Sequence, residues 1–184
     1  MKRPIMTTTL VCAMTLLALP AIADGPGGSF TATAVMSDSM GTRSMPVTLV
    51  AKRFTSVEQA QSLAEVLEQG GQGALLAALT GRADGQFVLG ALQMPVALVV
   101  AEEQGRGYRY LFLTARRIRV EETTFSEDSL DYPFGVAVFE VNDFGDGDGK
   151  IHAAAALSID ADGHIEIDDY DGEDGRLEDV SLQK

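Results

Sequence analysis

Period-two alternation constrains this chain more than any other feature. After Gly85 almost every stretch alternates apolar and polar residues, and clusters of Gly, Pro or Asp separate one stretch from the next. Successive side chains of a strand point to opposite faces, so this is the pattern of half-buried strands. Residues 86–92, 96–102, 108–114, 116–121, 133–141, 150–159, 164–168 and 177–182 read this way, and Gln104-Gly105-Arg106-Gly107 turns one pair into a hairpin. Two more strands come earlier. In the first, Phe30, Ala32, Ala34 and Met36 share one parity. In the second, residues 46–54, Val47, Leu49 and Ala51 do the same.

A helical period occurs only between Thr55 and Thr80. Thr55 followed by Glu58 predicts a capping box. Ala60, Leu63, Ala64 and Leu67 recur at helical spacing until Gly70-Gly71 predicts a stop. Leu75, Leu76 and Leu79 mark a second short helix over residues 72–80. The expected fold is therefore α+β and mostly β. An antiparallel sheet of about nine or ten short strands curls or doubles into a sandwich, with one helical pair packed on it. Strand–helix–strand alternation is absent, which excludes a doubly wound nucleotide-binding sheet. The expected core sets Leu63, Leu67, Leu75 and Leu79 against Leu98, Val100, Leu111, Leu113, Val136, Val138, Leu157 and Ile159.

The first 23 residues read as a secretory signal peptide. Lys2 and Arg3 form its basic end, residues 10–19 its apolar core, and Ala21-Ile22-Ala23 the cleavage site, with cleavage after Ala23. The apolar core is shorter than the ~20 residues that span a bilayer. Cys12 lies inside that core and so is not a lipid-attachment cysteine. Residues 24–29 read as a flexible lead-in and residues 30–184 as a single β-rich domain. The chain is thus expected to be secreted or periplasmic, with no membrane insertion after cleavage.

With the signal peptide go the only cysteine and two cations. The formal charge of −13, from 14 Lys+Arg against 27 Asp+Glu, becomes −15 when Lys2 and Arg3 leave. Such a charge excludes nucleic acid as a partner, because phosphate binding needs a cationic footprint. Without cysteine there is no disulfide, thiol nucleophile or thiolate metal site.

The remaining inventory assembles no catalytic set. His152 has the parity opposite to Ile151, Ala153, Ala155, Leu157 and Ile159, so it is expected on the polar face; His164 follows a turn. Neither sits at metal-ligand spacing from another histidine. Ser181-Leu182-Gln183-Lys184 has the S-x-x-K spacing only at the chain end, and Gly149-Lys150 is followed by Ile151, so no phosphate loop is formed. Arg117, Arg119 and Glu121 share a parity that reads as a solvated charged face. No catalytic and no cofactor-binding residue is assigned. The expected function is a non-enzymatic binding or structural module whose partner is an unknown protein or small-molecule ligand. The alternative is a carboxylate-based hydrolase with its cleft between the helices and the sheet.

Acidic residues concentrate in the last third. Residues 158–169 can be threaded onto a calcium loop, but Leu157, Ile159, Ile165 and Ile167 alternate as strands where helices are needed, so residues 160–163 read as a hairpin turn. An up-and-down meander over residues 133–168 would bring the 142–149 loop and the 169–174 segment to one end of the sheet. There Asp143, Asp146, Asp148, Asp169, Asp171, Glu173 and Asp174 form a candidate Ca²⁺ site, against the simpler reading of a solvated acidic rim.

Four short motifs also carry a resemblance. Leu75-Leu76-Ala77-Ala78-Leu79, Thr114-Ala115-Arg116-Arg117-Ile118, Asp131-Tyr132-Pro133-Phe134 and Gly145-Asp146-Gly147-Asp148-Gly149-Lys150 occur in an order that resembles a family of small secreted bacterial proteins without an assigned function. The likeness spans residues 30–182. It departs at Ala115 and Arg117, where the family pattern is Thr-Asp-Arg-Pro-Ile. The resemblance implies an architecture and no chemistry.

Overall fold

The computed structural model describes residues 27–38, 41–118, 131–160, 165–169 and 175–183; the expected signal peptide lies outside these. Among the described residues ten strands and one helix follow in chain order: β1 (Ser29–Asp38), β2 (Gly41–Ala51), α1 (Val57–Leu79), β3 (Gly85–Leu89), β4 (Leu92–Val96), β5 (Leu98–Gln104), β6 (Gly107–Thr114), β7 (Phe134–Asn142), β8 (Asp146–Ile159), β9 (Ile165–Asp169) and β10 (Gly175–Gln183). All pairings are antiparallel.

Across the sheet the order is β4-β3-β2-β1-β10-β8-β7-β6-β5, with β9 attached to β8 alone. That order follows the chain around a ring, because β1 pairs with β10. The two edges, β4 and β5, are joined through Ala97, whose N–H donates to the Leu113 carbonyl of β6 at 2.8 Å. The sheet is thus a nearly closed up-and-down barrel in which β4 and β5 act as one bent strand. Curling, not doubling into a sandwich, is what the sheet does.

Alternation then builds the interior. Phe30, Ala34, Val47, Leu49, Phe87, Tyr110, Phe112, Phe139, Ile151 and Leu177 point inward and are almost fully buried. The Phe30 ring lies 4.7 Å from Tyr110 and 5.0 Å from Phe139, which stacks on Tyr110 at 5.3 Å. A ring of eight strands is just wide enough for side chains to fill or for one small ligand. Here side chains fill it.

A second apolar layer lies outside the barrel, beneath α1. Leu67, Leu75 and Leu79 pack on Leu98, Leu113, Phe134, Val136 and Leu157, with Leu63, Val100, Leu111, Val138 and Ile159 at the margin. This layer is the core expected from the sequence, in full.

The expected helical pair is one helix. Gly71, at φ 68° and ψ −165°, kinks α1 between its two halves. Its capping box is one residue later than expected. The Gln59 N–H donates to Ser56 Oγ at 3.3 Å and the Ser56 N–H to Gln59 Oε1 at 3.4 Å. Thr55 is instead buried and pinned by its N–H to the Val99 carbonyl. Glu58 sits in the first turn, its carboxyl held below the usual range by its own backbone N–H and by the Ser56 hydroxyl.

Three further corrections concern strands. Residues 116–118 are not a strand. The Thr114 hydroxyl donates to the Arg116 carbonyl at 2.6 Å, and the chain leaves β6 to insert Ile118 into the barrel interior. Arg119 and Glu121 lie outside the described residues. The Gly/Asp run is not a loop but the start of β8: Gly147 and Gly149 face inward opposite Val141 and Phe139, where a Cβ would strike the β7 backbone. Glycine is needed there for close strand approach, not for a turn. Lastly, the β7–β8 register slips between Phe134↔Ala155 and Val136↔His152. A bulge exchanges the two faces of the strand. Ile151 therefore points into the barrel, whereas Ala155 and Leu157 point at α1. His152, opposite Val136 ahead of the slip, keeps the parity opposite to Ile151 but is buried at 7% exposure rather than on a polar face.

Candidate functional site

Below the part of the barrel wall that α1 covers, the outer face of β6, β7, β8 and β10 is open. Pairing register sets one row across it: Glu102 of β5 opposite Arg109, Arg109 opposite Glu140, and Glu140 opposite Asp148. The first two steps pair opposite charges. The third places two carboxylates directly across from each other, an arrangement that costs stability. Asp146 faces Ser181 of β10, whose hydroxyl donates to Asp146 Oδ1 at 3.4 Å. Beside it Asp179 takes a positive φ of 54° at a bulge.

The β7–β8 turn closes this face and is firmly built. Asn142 Oδ1 accepts the Phe144 N–H at 2.8 Å and the Asp146 N–H at 3.2 Å, while the Asn142 carbonyl accepts the Gly145 N–H at 2.9 Å. Gly145 has a φ of 88°, which favours glycine, and its carbonyl accepts the Leu182 N–H of β10. The turn thereby presents Phe144 to solvent, 82% exposed. Three shallow depressions of about 370, 420 and 230 Å³ adjoin the turn and the row, sharing Glu140, Asn142, Asp146 and Asp148 among them.

The candidate calcium ligands divide. Asp143, Asp146 and Asp148 share the turn end, all exposed. Asp169 is paired with Ala155, nine residues along β8 from Asp146, on the order of 30 Å at ~3.3 Å per residue. The simple meander is replaced by a split one: β10 takes the first half of β8, from Ser181↔Asp146 to Gly175↔Ile151, and β9 takes the second. Asp171, Glu173 and Asp174 lie outside the described residues, as does His164. Among the described residues no group of three His, Cys, Asp or Glu is arranged to hold a metal ion.

Two polar devices have no local signal in the sequence. Asp84 is 2% exposed, and both its oxygens are taken: Oδ1 by Arg53 Nε at 2.9 Å and Oδ2 by an Arg82 terminal nitrogen at 2.7 Å. Arg82 Nε also donates to the Ala97 carbonyl, so this cluster ties the exit of α1 to the joint between β4 and β5. It is a brace, not an available acid. Gln72, just after the kink, bonds both backbone groups of Leu157: its Nε2 donates to the carbonyl at 2.5 Å and its Oε1 accepts the N–H at 3.1 Å. Gln72 and Leu157 lie 85 positions apart in the chain, beyond the reach of any local pattern.

Among the described residues no helix is long and apolar enough to cross a membrane. No protein-family model matches the chain, and neither a curated protein nor a solved structure is detectably similar to it.

Proposed function

We propose that this chain is an exported, non-enzymatic binding or structural module of the bacterial envelope that meets its partner through the outer face around the β7–β8 turn. One observation carries the reading. Both places where this architecture could enclose a substrate are filled, the barrel interior by Phe30, Tyr110, Phe112 and Phe139 and the helix–sheet interface by Leu67, Leu79, Phe134 and Leu157. What remains is a shallow acidic surface with one exposed aromatic on a hydrogen-bonded turn. With its backbone already ordered in the turn, Phe144 loses less freedom on docking than a residue of a loose loop would, and the flanking Asp146, Asp148 and Glu140 select for a cationic rim on the partner. The resemblance to small secreted bacterial proteins supports the envelope location, and the basic–apolar–Ala-x-Ala start supports export.

The test is affinity capture from native envelope or culture medium, with the wild-type chain beside Phe144→Ala and Asp146→Asn/Asp148→Asn. A partner retained by the wild type and lost by both variants is expected. Equal recovery by all three overturns the reading. So does turnover of a glycoside, ester or peptide substrate that a carboxylate substitution abolishes.

A further inference from the structure

We propose that the outer edge of β9 is a docking strand for an extended peptide that alternates apolar and basic residues. This goes beyond the surface around Phe144, from which it is separate.

The second half of β8 outruns its neighbours. β7 begins at Phe134, opposite Ala155, so Leu157 lies past its end. Among the described residues the ribbon of β8 and β9 therefore has two edges that no strand pairs, and the chain treats them differently. On the β8 edge the Gln72 amide takes both the N–H and the C=O of Leu157. Those groups consequently point away from β9, which makes Leu157↔Ile167 a non-hydrogen-bonded pair. By the same alternation the N–H and C=O groups of Ile165 and Ile167 point to the outer edge of β9. Among the described residues no strand pairs with that edge. One edge is capped by a side chain, and the other presents a ready template.

The chemistry along β9 selects the occupant. Ile167 joins the margin of the apolar layer under α1, and Ile165, on the same face, is 44% exposed. An added strand would extend that layer with its own apolar side chains. Glu166 and Asp168 project from the opposite face, both exposed. Ser158 Oγ donates to Glu166 at 3.4 Å, and the Tyr132 hydroxyl donates to Asp168 at 3.1 Å. Basic residues at alternate positions would meet those carboxylates. A second copy of the chain fits worse: an antiparallel pairing centred on Ile167 sets Glu166 of one chain opposite Asp168 of the other, and like charges directly opposite repel. Strand addition of this kind draws affinity from main-chain hydrogen bonds and specificity from alternate side chains.

The experiment titrates the full chain into a fluorescein-labelled heptapeptide of alternating valine and lysine, read by fluorescence anisotropy. Ile167→Pro removes an outward N–H that β8 does not use, and proline is tolerated at such edge positions. It should weaken binding at least tenfold, as should N-methylation of the valines in the peptide. Glu166→Gln/Asp168→Asn should weaken it about three- to tenfold, the worth of two exposed ion pairs. The proposal is overturned if the peptide does not bind, if Ile167→Pro binds as tightly, or if an alternating glycine–lysine peptide binds equally well. Concentration-dependent dimerisation that Ile167→Pro abolishes would also overturn it, in favour of a second copy. Should Ile167→Pro lower the melting temperature sharply, the N-methylated peptide decides, and its binding unchanged ends the proposal.

Discussion

The barrel interior and the layer beneath α1 are both apolar, and strands β5 to β8 contribute to each. They differ in how they are closed. The interior is enclosed by strands on all sides and filled by aromatic rings in mutual contact. The outer layer is aliphatic, covered by a single kinked helix, and held at one margin by the Gln72 amide. Neighbours on every side cannot all collapse into a void, whereas a wall made of one helix can relax toward it. That difference governs what a truncation costs.

The largest effect is therefore expected at Phe139, which contacts Phe30, Tyr110 and Phe112. Phe139→Ala should cost about 3–5 kcal/mol in denaturant unfolding, with the midpoint lowered and the slope unchanged. Leu157→Ala, in the outer layer, should cost about 2–4 kcal/mol, at the lower part of the range for buried leucine because α1 can settle inward. If Leu157→Ala proves the more damaging, the helix is a rigid wall and the comparison between the two layers fails.

A pH scan sharpens the same comparison, because the interior holds the buried phenol found among the described residues, Tyr110. Burial pushes the Tyr110 hydroxyl up to about 12, with a smaller push from Tyr108. A group whose neutral form is favoured in the fold contributes stability that is whole below its unfolded pKa, near 10, and is lost as pH rises through about 12. The chain should thus lose about 2–3 kcal/mol across that window, by two pH units at 1.36 kcal/mol each. Tyr110→Phe should abolish that component of the loss. An unchanged alkaline profile in the variant would refute the assignment to Tyr110.

Gln72→Ala tests the margin of the outer layer. It leaves the Leu157 N–H and C=O without their amide partner in a half-buried position, so a loss of about 1–2 kcal/mol is expected. Amide exchange at Leu157 should quicken more than at Phe139, since the opening is local. Equal protection at Leu157 in variant and wild type would show that the side chain adds nothing.

These two layers also mark what the sequence could reveal. The outer layer was legible because α1 carries one apolar stripe and strands β5 to β8 offer it matching leucines and valines. The shared parity of Phe30 and Ala34, and of Val47 and Leu49, was legible as well. Their enclosure was not, because β5 to β8 are apolar on both faces and period two cannot say which face is inside. The β8 bulge was silent too. It exchanged the faces after Ala153, turning Ala155 and Leu157 toward α1, while His152, ahead of the slip and opposite Val136, is buried against expectation. Gly147 and Gly149 read as turn residues because glycine usually marks one, yet they mark the close approach of β8 to β7. At the candidate site, Asp143, Asp146 and Asp148 were found from the acidic composition of the last third together with an assumed meander, which the split pairing of β8 replaces. Gln72 and Asp84 were not: Gln72 acts on Leu157, 85 residues on, and Asp84 joins its neighbour Arg82 to Arg53, 31 residues back.

The smallest expected effect concerns calcium. An oxygen-only site for Ca²⁺ needs six to eight ligands at 2.3–2.6 Å, which requires carboxylates from more than one element to converge. Asp146 and Asp148 project from one strand with Glu140 across from Asp148, while Asp169 is paired far along β8 at Ala155. The charges at the turn end are exposed, and exposed charges separated by more than about 8–10 Å are largely screened at physiological salt. Millimolar Ca²⁺ should therefore raise the melting temperature no more than Na⁺ at equal ionic strength, and chelator should not lower it. Ligand at one hundred times its Kd would add about 2.7 kcal/mol, a shift of several degrees that a thermal melt resolves easily. A calcium-specific shift of that size, lost in Asp146→Asn/Asp148→Asn, would show that the acidic turn end gathers a cation after all. It would also make that end, rather than the barrel interior, the most responsive part of the molecule to its surroundings.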